Sequence, residues 1–225
     1  MTIVVPAIIP KTREQTEEEI SRVASFAHLI QIDISDGMFT PVKTWPYNGR
    51  DIDFFEKLKT EAIGWPRWED VDFEIHLMVK NPEDVVRDWI YTGVSAIVAH
   101  IEATDNFQKV IDICKENLVT VGIAIKPSTD LSKLDKFVSQ VDFIQCMGND
   151  SLGKHGAALD LKVLNRISQL HGHYPNCIIG IDIGVTEETA KSLVKAGAKK
   201  LITGSAILDA DNPEEVFEEF SSYTL

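Results

Sequence analysis

The chain has 225 residues, 44% hydrophobic and 25% charged, a composition that is ordinary for a globular protein and excludes extensive disorder. Its formal net charge of −13 at pH 7 argues against nucleic acid as a partner, because phosphate backbones recruit Lys and Arg. The acidity does not exclude a phosphorylated small molecule, since backbone N–H groups at helix N-termini bind a phosphate whatever the global charge.

Eight short apolar runs follow one another along the chain, and the first is too short to cross a bilayer and lacks a basic segment before it. We therefore expect no membrane partner. The runs are rich in β-branched residues and largely non-alternating, which is typical of strands buried on both faces of a parallel sheet. They lie at residues 3–9, 28–34, 71–79, 95–100, 118–125, 141–147, 177–183 and 199–204.

Polar stretches with helical periodicity separate the runs. Asn81-Pro82 and Thr186 are typical helix starts, and Gly197 is a typical helix stop. Strand–helix alternation repeated eight times favours a (β/α)8 TIM barrel of the α/β class over a doubly wound sheet. No linker rich in Pro, Gly or Ser interrupts it, so we predict a single barrel domain over residues 1–225.

An aromatic insert at residues 43–70 breaks this regularity. It contains Trp45, Trp65 and Trp68 around one helix-like stretch at residues 51–61. Long aromatic loops form lids or interfaces, but these rings could equally pack the insert onto the barrel. We also expect a homo-oligomer.

Ionisable side chains end three of the predicted strands. Asp33 and Asp182 are each bracketed by isoleucines, and a carboxylate in such a setting is costly to bury without a partner. His76 lies in an apolar strand, where a histidine could be a core residue or a ligand. In a parallel barrel these strand ends carry the chemistry, so the two acids predict proton transfer in one pocket. Asp36, which begins the following loop, could instead bind backbone amides there.

Three further polar residues follow strands four and five. His100 and Glu102 could form the floor or rim of the pocket, or could orient other groups. Lys126 could act as a Schiff-base or electrostatic lysine, or could lie at the rim.

Glycine-bearing loops follow the last three strands. In barrels of this kind a phosphate often lies between the loops after strands seven and eight. Three glycine loops at consecutive strand ends therefore predict a phosphate site. Its candidate residues are Gly153, Gly156, Gly184, Gly204 and Ser205.

The three cysteines, Cys114, Cys146 and Cys177, are isolated in apolar surroundings without a CxxC pair. They predict neither a zinc site nor a disulfide framework. A reducing, cytoplasmic compartment fits them best.

Several stretches together resemble the ribulose-phosphate 3-epimerase family over nearly the whole chain. Residues 31–39 read Gln-Ile-Asp-Ile-Ser-Asp-Gly-Met-Phe, where that family has a His-x-Asp-x-Met-Asp-Gly-His-Phe pattern. Residues 76–83, 100–103 and 197–207 are also close matches. The combination is much more specific than any one stretch.

The resemblance implies a (β/α)8 barrel that inverts C3 of a ketopentose 5-phosphate through an enediolate. It implies that Asp33 and Asp182 are the acid–base pair, and that Met78 and Met147 contact the substrate. It also implies a divalent metal, zinc, iron, manganese or cobalt, bound by Asp33, His76, Asp182 and a histidine at the position of Gln31.

Gln31 is the most consequential departure from the family pattern, because an amide oxygen is a weaker ligand for zinc or iron than imidazole. Ala7, Ser35 and Met38 also replace the residues usual in the family, and Ala157 stands where its phosphate loop has glutamine. Two alternatives follow: a metal-free phosphosugar lyase or decarboxylase that uses Lys126, and a phosphosugar-binding protein without turnover.

Overall fold

The computed structural model describes residues 1–150, 152 and 158–224 and contains eight parallel strands that close into a barrel in sequence order. Each of the eight predicted runs contains one strand, so the predicted TIM barrel is confirmed. The strands are β1 (Ile3–Ile8), β2 (Leu29–Ser35), β3 (Asp72–Met78), β4 (Ala96–His100), β5 (Thr120–Ile125), β6 (Phe143–Met147), β7 (Ile178–Asp182) and β8 (Lys200–Thr203). Strand β1 pairs with both β2 and β8, which closes the ring.

Helices connect most of the strands on the outside of the barrel. Those in the described part of the chain are α1 (Arg13–Val23), α2 (Ile52–Lys59), α3 (Val86–Ile90), α4 (Phe107–Glu116), α5 (Lys162–His173), α6 (Glu187–Ala196), α7 (Ser205–Leu208) and α8 (Pro213–Ser222). None of them is long and apolar enough to cross a membrane. Thr186 caps α6 through a capping box, and Gly197 ends that helix at φ 119°, as the sequence predicts.

The connection between β5 and β6 differs from the predicted alternation, because it holds a 3₁₀ helix at Leu131–Leu134 in place of an α-helix. The Asp130 side chain accepts a hydrogen bond from the Ser132 N–H and starts this turn. Leu131, Leu134 and Phe137 are spaced by three residues, a spacing that a 3₁₀ turn places on one face. Leu134 and Phe137 are buried in the main core by this geometry.

Side chains alternate between the two sides of the barrel wall. Ile32 and Ile75 belong to the main core between strands and helices. The intervening residues of β2 and β3 point inward, since successive side chains of a strand face opposite sides. Gln31 pairs in register with Glu74, and Asp33 with His76, which gives the barrel interior its polar character.

A buried ion pair fills the barrel interior near the N-terminal ends of the strands. Lys200 Nζ lies 2.7 and 2.5 Å from the two carboxylate oxygens of Glu74. It also lies 3.9 Å from the ring centroid of Phe143. Gly122 leaves room for that ring, because a Cβ there would lie 2.2 Å from Phe143 Cζ. The interior is therefore filled at the N-terminal ends of the strands.

The aromatic insert packs against the barrel. The ring centroid of the buried Trp45 lies 6.0 Å from that of Trp65 and 6.1 Å from that of Trp89. Trp65 stacks on Phe73 of β3 with centroids 5.1 Å apart. Trp68 is 63% exposed. The packing alternative therefore accounts for two of the three tryptophans, and an interface role for Trp68 stays a prediction.

The three cysteines are free. Burial raises the pKa of the Cys114 and Cys146 thiols to about 12. Both side chains are therefore protonated at neutral pH and behave as small core residues, because only the thiolate is a good nucleophile or metal ligand.

Candidate active site at the carboxyl ends of the strands

A cavity of about 260 Å³ opens at the C-terminal ends of the strands. Seven of the candidate site residues line it: Asp33, Met78, Met147, Asp182, Gly184, Gly204 and Ser205. His76 and Gln31 are fully buried beneath them. The candidate residues Gly153 and Gly156 lie outside the described part of the chain.

Asp33, His76 and Asp182 converge on one point at the base of this cavity. His76 Nδ1 lies 3.0 Å from Asp33 Oδ1 and 3.5 Å from Asp182 Oδ2. The register of β2 with β3 places Asp33 beside His76, and Asp182 reaches the same point from the end of β7. The expected meeting of two strand-end acids in one pocket is therefore what the fold produces.

The electrostatics of this trio favour a shared proton. Burial, and next the negative charge of Asp33, raise the pKa of Asp182 to about 7. Burial acts to lower the pKa of His76, but the hydrogen bond to Asp33 and the charges of both aspartates outweigh it and raise that pKa. At neutral pH Asp182 can thus hold or release a proton, as acid–base chemistry requires.

Two buried glutamines hold the two carboxylates. Gln31 Nε2 donates to Asp33 Oδ1 at 2.9 Å, and Gln145 Nε2 donates to Asp182 Oδ2 at 3.2 Å. The Oε1 atoms of both glutamines are buried and have no hydrogen-bond partner among the described residues. Sequence reasoning missed Gln145, although one signal was available: it is a polar residue on the same strand face as Met147 in an otherwise apolar strand.

The side chains at the base of the cavity fit a divalent cation. Asp33, His76 and Asp182 each offer a ligand atom, and these three atoms lie within 4.8 Å of one another. Two carboxylates and one imidazole suit zinc, iron, manganese or cobalt. Gln31 turns its amide nitrogen toward Asp33, so a rotation of the amide group would offer its buried oxygen as a fourth ligand.

His100 and Glu102 lie behind His76 and not at the cavity surface. His76 Nε2 is 3.1 Å from His100 Nε2, and His100 Nδ1 is 3.1 Å from Glu102 Oε2. Burial lowers the pKa of His100 to about 4, against the opposing effect of Glu102, so this imidazole is neutral at pH 7. These contacts favour the prediction that His100 and Glu102 orient another group, here His76, over a position at the floor or rim of the pocket.

Glu102 is itself held by several donors. Its Oε1 atom accepts the Lys126 backbone N–H at 2.8 Å and the Thr129 hydroxyl. Burial acts to raise its pKa, but the hydrogen bonds from His100, Thr129 and Lys126 outweigh burial and lower the pKa to about 2. Glu102 is therefore ionised at neutral pH.

Lys126 and Asp36 lie outside the cavity lining. Lys126 Nζ rests 4.6 Å from the ring centroid of Phe39. Asp36 Oδ1 accepts the backbone N–H groups of Met38 and Phe39, and its Oδ2 accepts that of Lys80. Asp36 thus ties the loop after β2 to the loop after β3, which is the backbone-binding alternative that the sequence left open.

The loop after β7 has an unusual backbone. Ile183 and Gly184 both adopt positive φ, 78° and 74°. A β-branched residue in this region is strained by about 1–2 kcal/mol. Gly148 makes the conformation possible, because a Cβ there would lie 1.9 Å from the Ile183 carbonyl oxygen. The Gly148 N–H donates to the Asp182 carbonyl at 2.6 Å, which fixes the end of β7.

Sequence comparisons with known proteins agree on one family. The model of the ribulose-phosphate 3 epimerase family matches residues 3–208. Ribulose-phosphate 3-epimerase of Schizosaccharomyces pombe is 27% identical over 214 residues, which cover 95% of this chain and 90% of that protein. The Escherichia coli (strain K12) enzyme of the same name is 25% identical over 226 residues, covering 98% and 95%.

Solved structures of other names share the barrel. The 3-hexulose-6-phosphate synthase from Salmonella typhimurium superposes with a TM-score of 0.70 at 16% identity, covering 98% of this chain and 97% of that one. Orotidine 5'-phosphate decarboxylase from Pyrococcus horikoshii OT3 gives a TM-score of 0.62 at 19% identity, covering 97% of each chain. At these identities the likeness supports the fold alone.

Proposed function

The chain belongs to the ribulose-phosphate 3-epimerase family, and from this premise we propose that it epimerises C3 of a small ketose phosphate. The observation that carries the proposal is the meeting of Asp33 and Asp182, from β2 and β7, at the base of one cavity. The raised pKa of Asp182, about 7, supports a role in which it exchanges a proton at neutral pH.

The two carboxylates would act in sequence on one carbon. The carbonyl at C2 acidifies the C3 proton, and an ionised Asp33 removes that proton from one face of the sugar. The electron pair of the C3–H bond moves into an enediolate. A protonated Asp182 then returns a proton to the opposite face, which inverts the carbon. Afterwards Asp33 is protonated and Asp182 is ionised, so the pair is set for the reverse reaction.

A divalent cation held by Asp33, His76 and Asp182 would polarise the substrate carbonyl and stabilise negative charge on oxygen, an effect worth several kcal/mol. The amide groups of Gln31 and Gln145 restrain the two carboxylates from below. Such restraint matters because a misplaced base loses much of its advantage in rate.

The rest of the cavity would bind the substrate chain and its phosphate. Met78 and Met147 form an apolar cluster on the cavity wall, which would shield the enediolate from water. The same cavity extends to Gly184, Gly204 and Ser205. Ser205 opens α7, and the first N–H groups of a helix have no partner within it. We propose that the substrate phosphate binds at this end of the cavity.

An assay of pentulose and hexulose phosphates, run with added Zn2+, Mn2+, Fe2+ or Co2+, tests the proposal. We expect C3 epimerisation of at least one substrate and its loss in Asp33→Asn and Asp182→Asn. Asp53→Asn on the surface of α2 is the matched control, because it removes one exposed carboxylate that does not line the cavity. Unchanged turnover in both active-site variants would refute the acid–base assignment.

The two alternatives give different results in the same experiments. A lyase that uses Lys126 would lose activity in Lys126→Met, whereas an epimerase would retain it, since Lys126 does not line the cavity. A binding protein without turnover would bind a phosphosugar in calorimetry and give no product with any metal.

A further inference from the structure

A series of four hydrogen-bonded side chains runs from the cavity into the barrel wall. Asp33 Oδ1 is 3.0 Å from His76 Nδ1, His76 Nε2 is 3.1 Å from His100 Nε2, and His100 Nδ1 is 3.1 Å from Glu102 Oε2. Both imidazoles are fully buried, and their rings stack with centroids 5.1 Å apart. Because the rings are buried, each ring N–H must donate to an acceptor within this series.

With both rings neutral, two ring protons serve three contacts. The contact between Asp33 Oδ1 and His76 Nδ1 is the one without a proton, because Asp33 Oδ1 already accepts from Gln31 Nε2. Hydrogen-bond matching then fixes where the two protons lie.

Two donors, the Lys126 backbone N–H and the Thr129 hydroxyl, bind the Oε1 atom of Glu102 and hold its carboxyl group in the charged form. Its Oε2 atom therefore carries no proton and is an acceptor. His100 must then carry its proton on Nδ1, which faces Glu102 Oε2. Its Nε2 is left bare, so the facing Nε2 of His76 must carry the proton shared by the two rings.

We propose that Glu102, acting through His100, is a positioning residue that fixes the tautomer of His76 and keeps His76 Nδ1 free to bind a divalent cation between the two aspartates. A histidine ligand usually donates its other ring N–H to a carboxylate or carbonyl. Here a second imidazole takes that place, and Glu102 sets its orientation. The consequence for turnover rests on the proposed function, but the tautomer and the cation affinity do not.

One isosteric substitution should reverse the donor and acceptor roles along the whole series. In Glu102→Gln, the carbonyl oxygen of the amide must occupy the Oε1 position, because the Lys126 N–H still points there. The NH2 group then faces His100 Nδ1 and donates to it. His100 must move its proton to Nε2 and donate to His76, whose own proton is forced onto Nδ1. No lone pair is then left on Nδ1 for a cation.

The test uses the full-length protein with 15N-labelled histidines and two readouts that need no turnover. NMR reports which ring nitrogen of His76 and His100 carries the proton, with resonances identified by comparison with His100→Asn. Zn2+ calorimetry reports cation affinity. Glu83→Gln is the matched control: it neutralises a carboxylate that accepts from the Thr104 hydroxyl and is not a member of the series.

In Zn2+-loaded wild type, and in the cation-free protein at alkaline pH, we expect a proton on His76 Nε2 and on His100 Nδ1. We expect Glu102→Gln to reverse both positions and to weaken Zn2+ binding by about 10- to 100-fold, with Glu83→Gln unchanged. An unaltered His76 tautomer and affinity in folded Glu102→Gln overturn the proposal. If that variant does not fold, a wild-type spectrum with the proton on His76 Nδ1 at alkaline pH overturns it instead. A protein that passes these tests but lacks epimerase activity would refute only the proposed function.

Discussion

Asp182→Asn should make the cation-free protein more stable, and increasingly so as the pH rises. Burial and the charge of Asp33 raise the pKa of Asp182 from its ordinary value of 3.8 to about 7. Below 3.8 the carboxyl is protonated in both the folded and the unfolded state, and it carries no penalty. Between these values only the unfolded state ionises freely, so the free energy of unfolding falls as the pH rises. An asparagine has no such dependence.

The size of the effect follows from the same two pKa values. At 1.36 kcal/mol per pKa unit, moving from 3.8 to about 7 corresponds to about 4 kcal/mol, reached above neutral pH. This is an upper figure, because the denatured chain and local relaxation reduce it. The asparagine side chain of the variant keeps an oxygen that can accept from Gln145, so packing changes little.

Urea unfolding of wild type and Asp182→Asn, in chelator, measures this difference at about pH 4 and about pH 8. We expect nearly equal stabilities at the lower pH and a gain of some kcal/mol for the variant at the higher pH. Asp53→Asn removes an exposed carboxylate on α2 whose pKa is lowered by the hydrogen bond from Lys57, so this variant should gain no stability as the pH rises. A stability difference that does not change with pH, or that turns against the variant as the pH rises, would contradict this expectation.

Three further substitutions test other parts of the structure. Lys200→Met leaves Glu74 as a buried, unpaired carboxylate and should cost about 3–5 kcal/mol in urea unfolding, whereas the double change Lys200→Met with Glu74→Leu should recover most of that loss. Gln31→His should tighten Zn2+ binding in calorimetry, because imidazole is a better zinc ligand than an amide oxygen; equal affinity would show that position 31 does not reach the cation. Gly148→Ala should lower the free energy of unfolding and displace the end of β7, because its Cβ would lie 1.9 Å from the Ile183 carbonyl oxygen. Gly172→Ala in α5, with open space around it, should instead raise the free energy of unfolding by about 0.5–1 kcal/mol.

Local pattern was enough to predict the strands and the convergence of the trio. The strands are short apolar runs buried on both sides, many of them rich in β-branched residues, and that pattern needs no knowledge of its neighbours. Asp33 and Asp182 interrupt such runs at their ends, where a parallel barrel collects side chains in one place. The predicted pocket therefore follows from the fold class once the barrel is inferred.

The partners of these residues could not be predicted in the same way. The pair of Glu74 with Lys200 joins residues 126 positions apart, and the contact of His76 with His100 depends on the register of β3 with β4. Gln145 shows as one polar residue in an apolar strand, but only the closed ring brings it to Asp182. Register and closure are properties of the assembled sheet, so a single residue can be found from its own strand while its contacts cannot.

The proposed two-base proton transfer can be tested with ribulose 5-phosphate in D2O, by NMR observation of C3. We expect each epimerised molecule to carry solvent deuterium at C3, because the proton that leaves and the proton that arrives belong to different carboxylates. We also expect Asp33→Asn and Asp182→Asn to lose this incorporation. Epimer formed with its original hydrogen retained, or incorporation at the wild-type rate in both variants, would contradict the two-base mechanism.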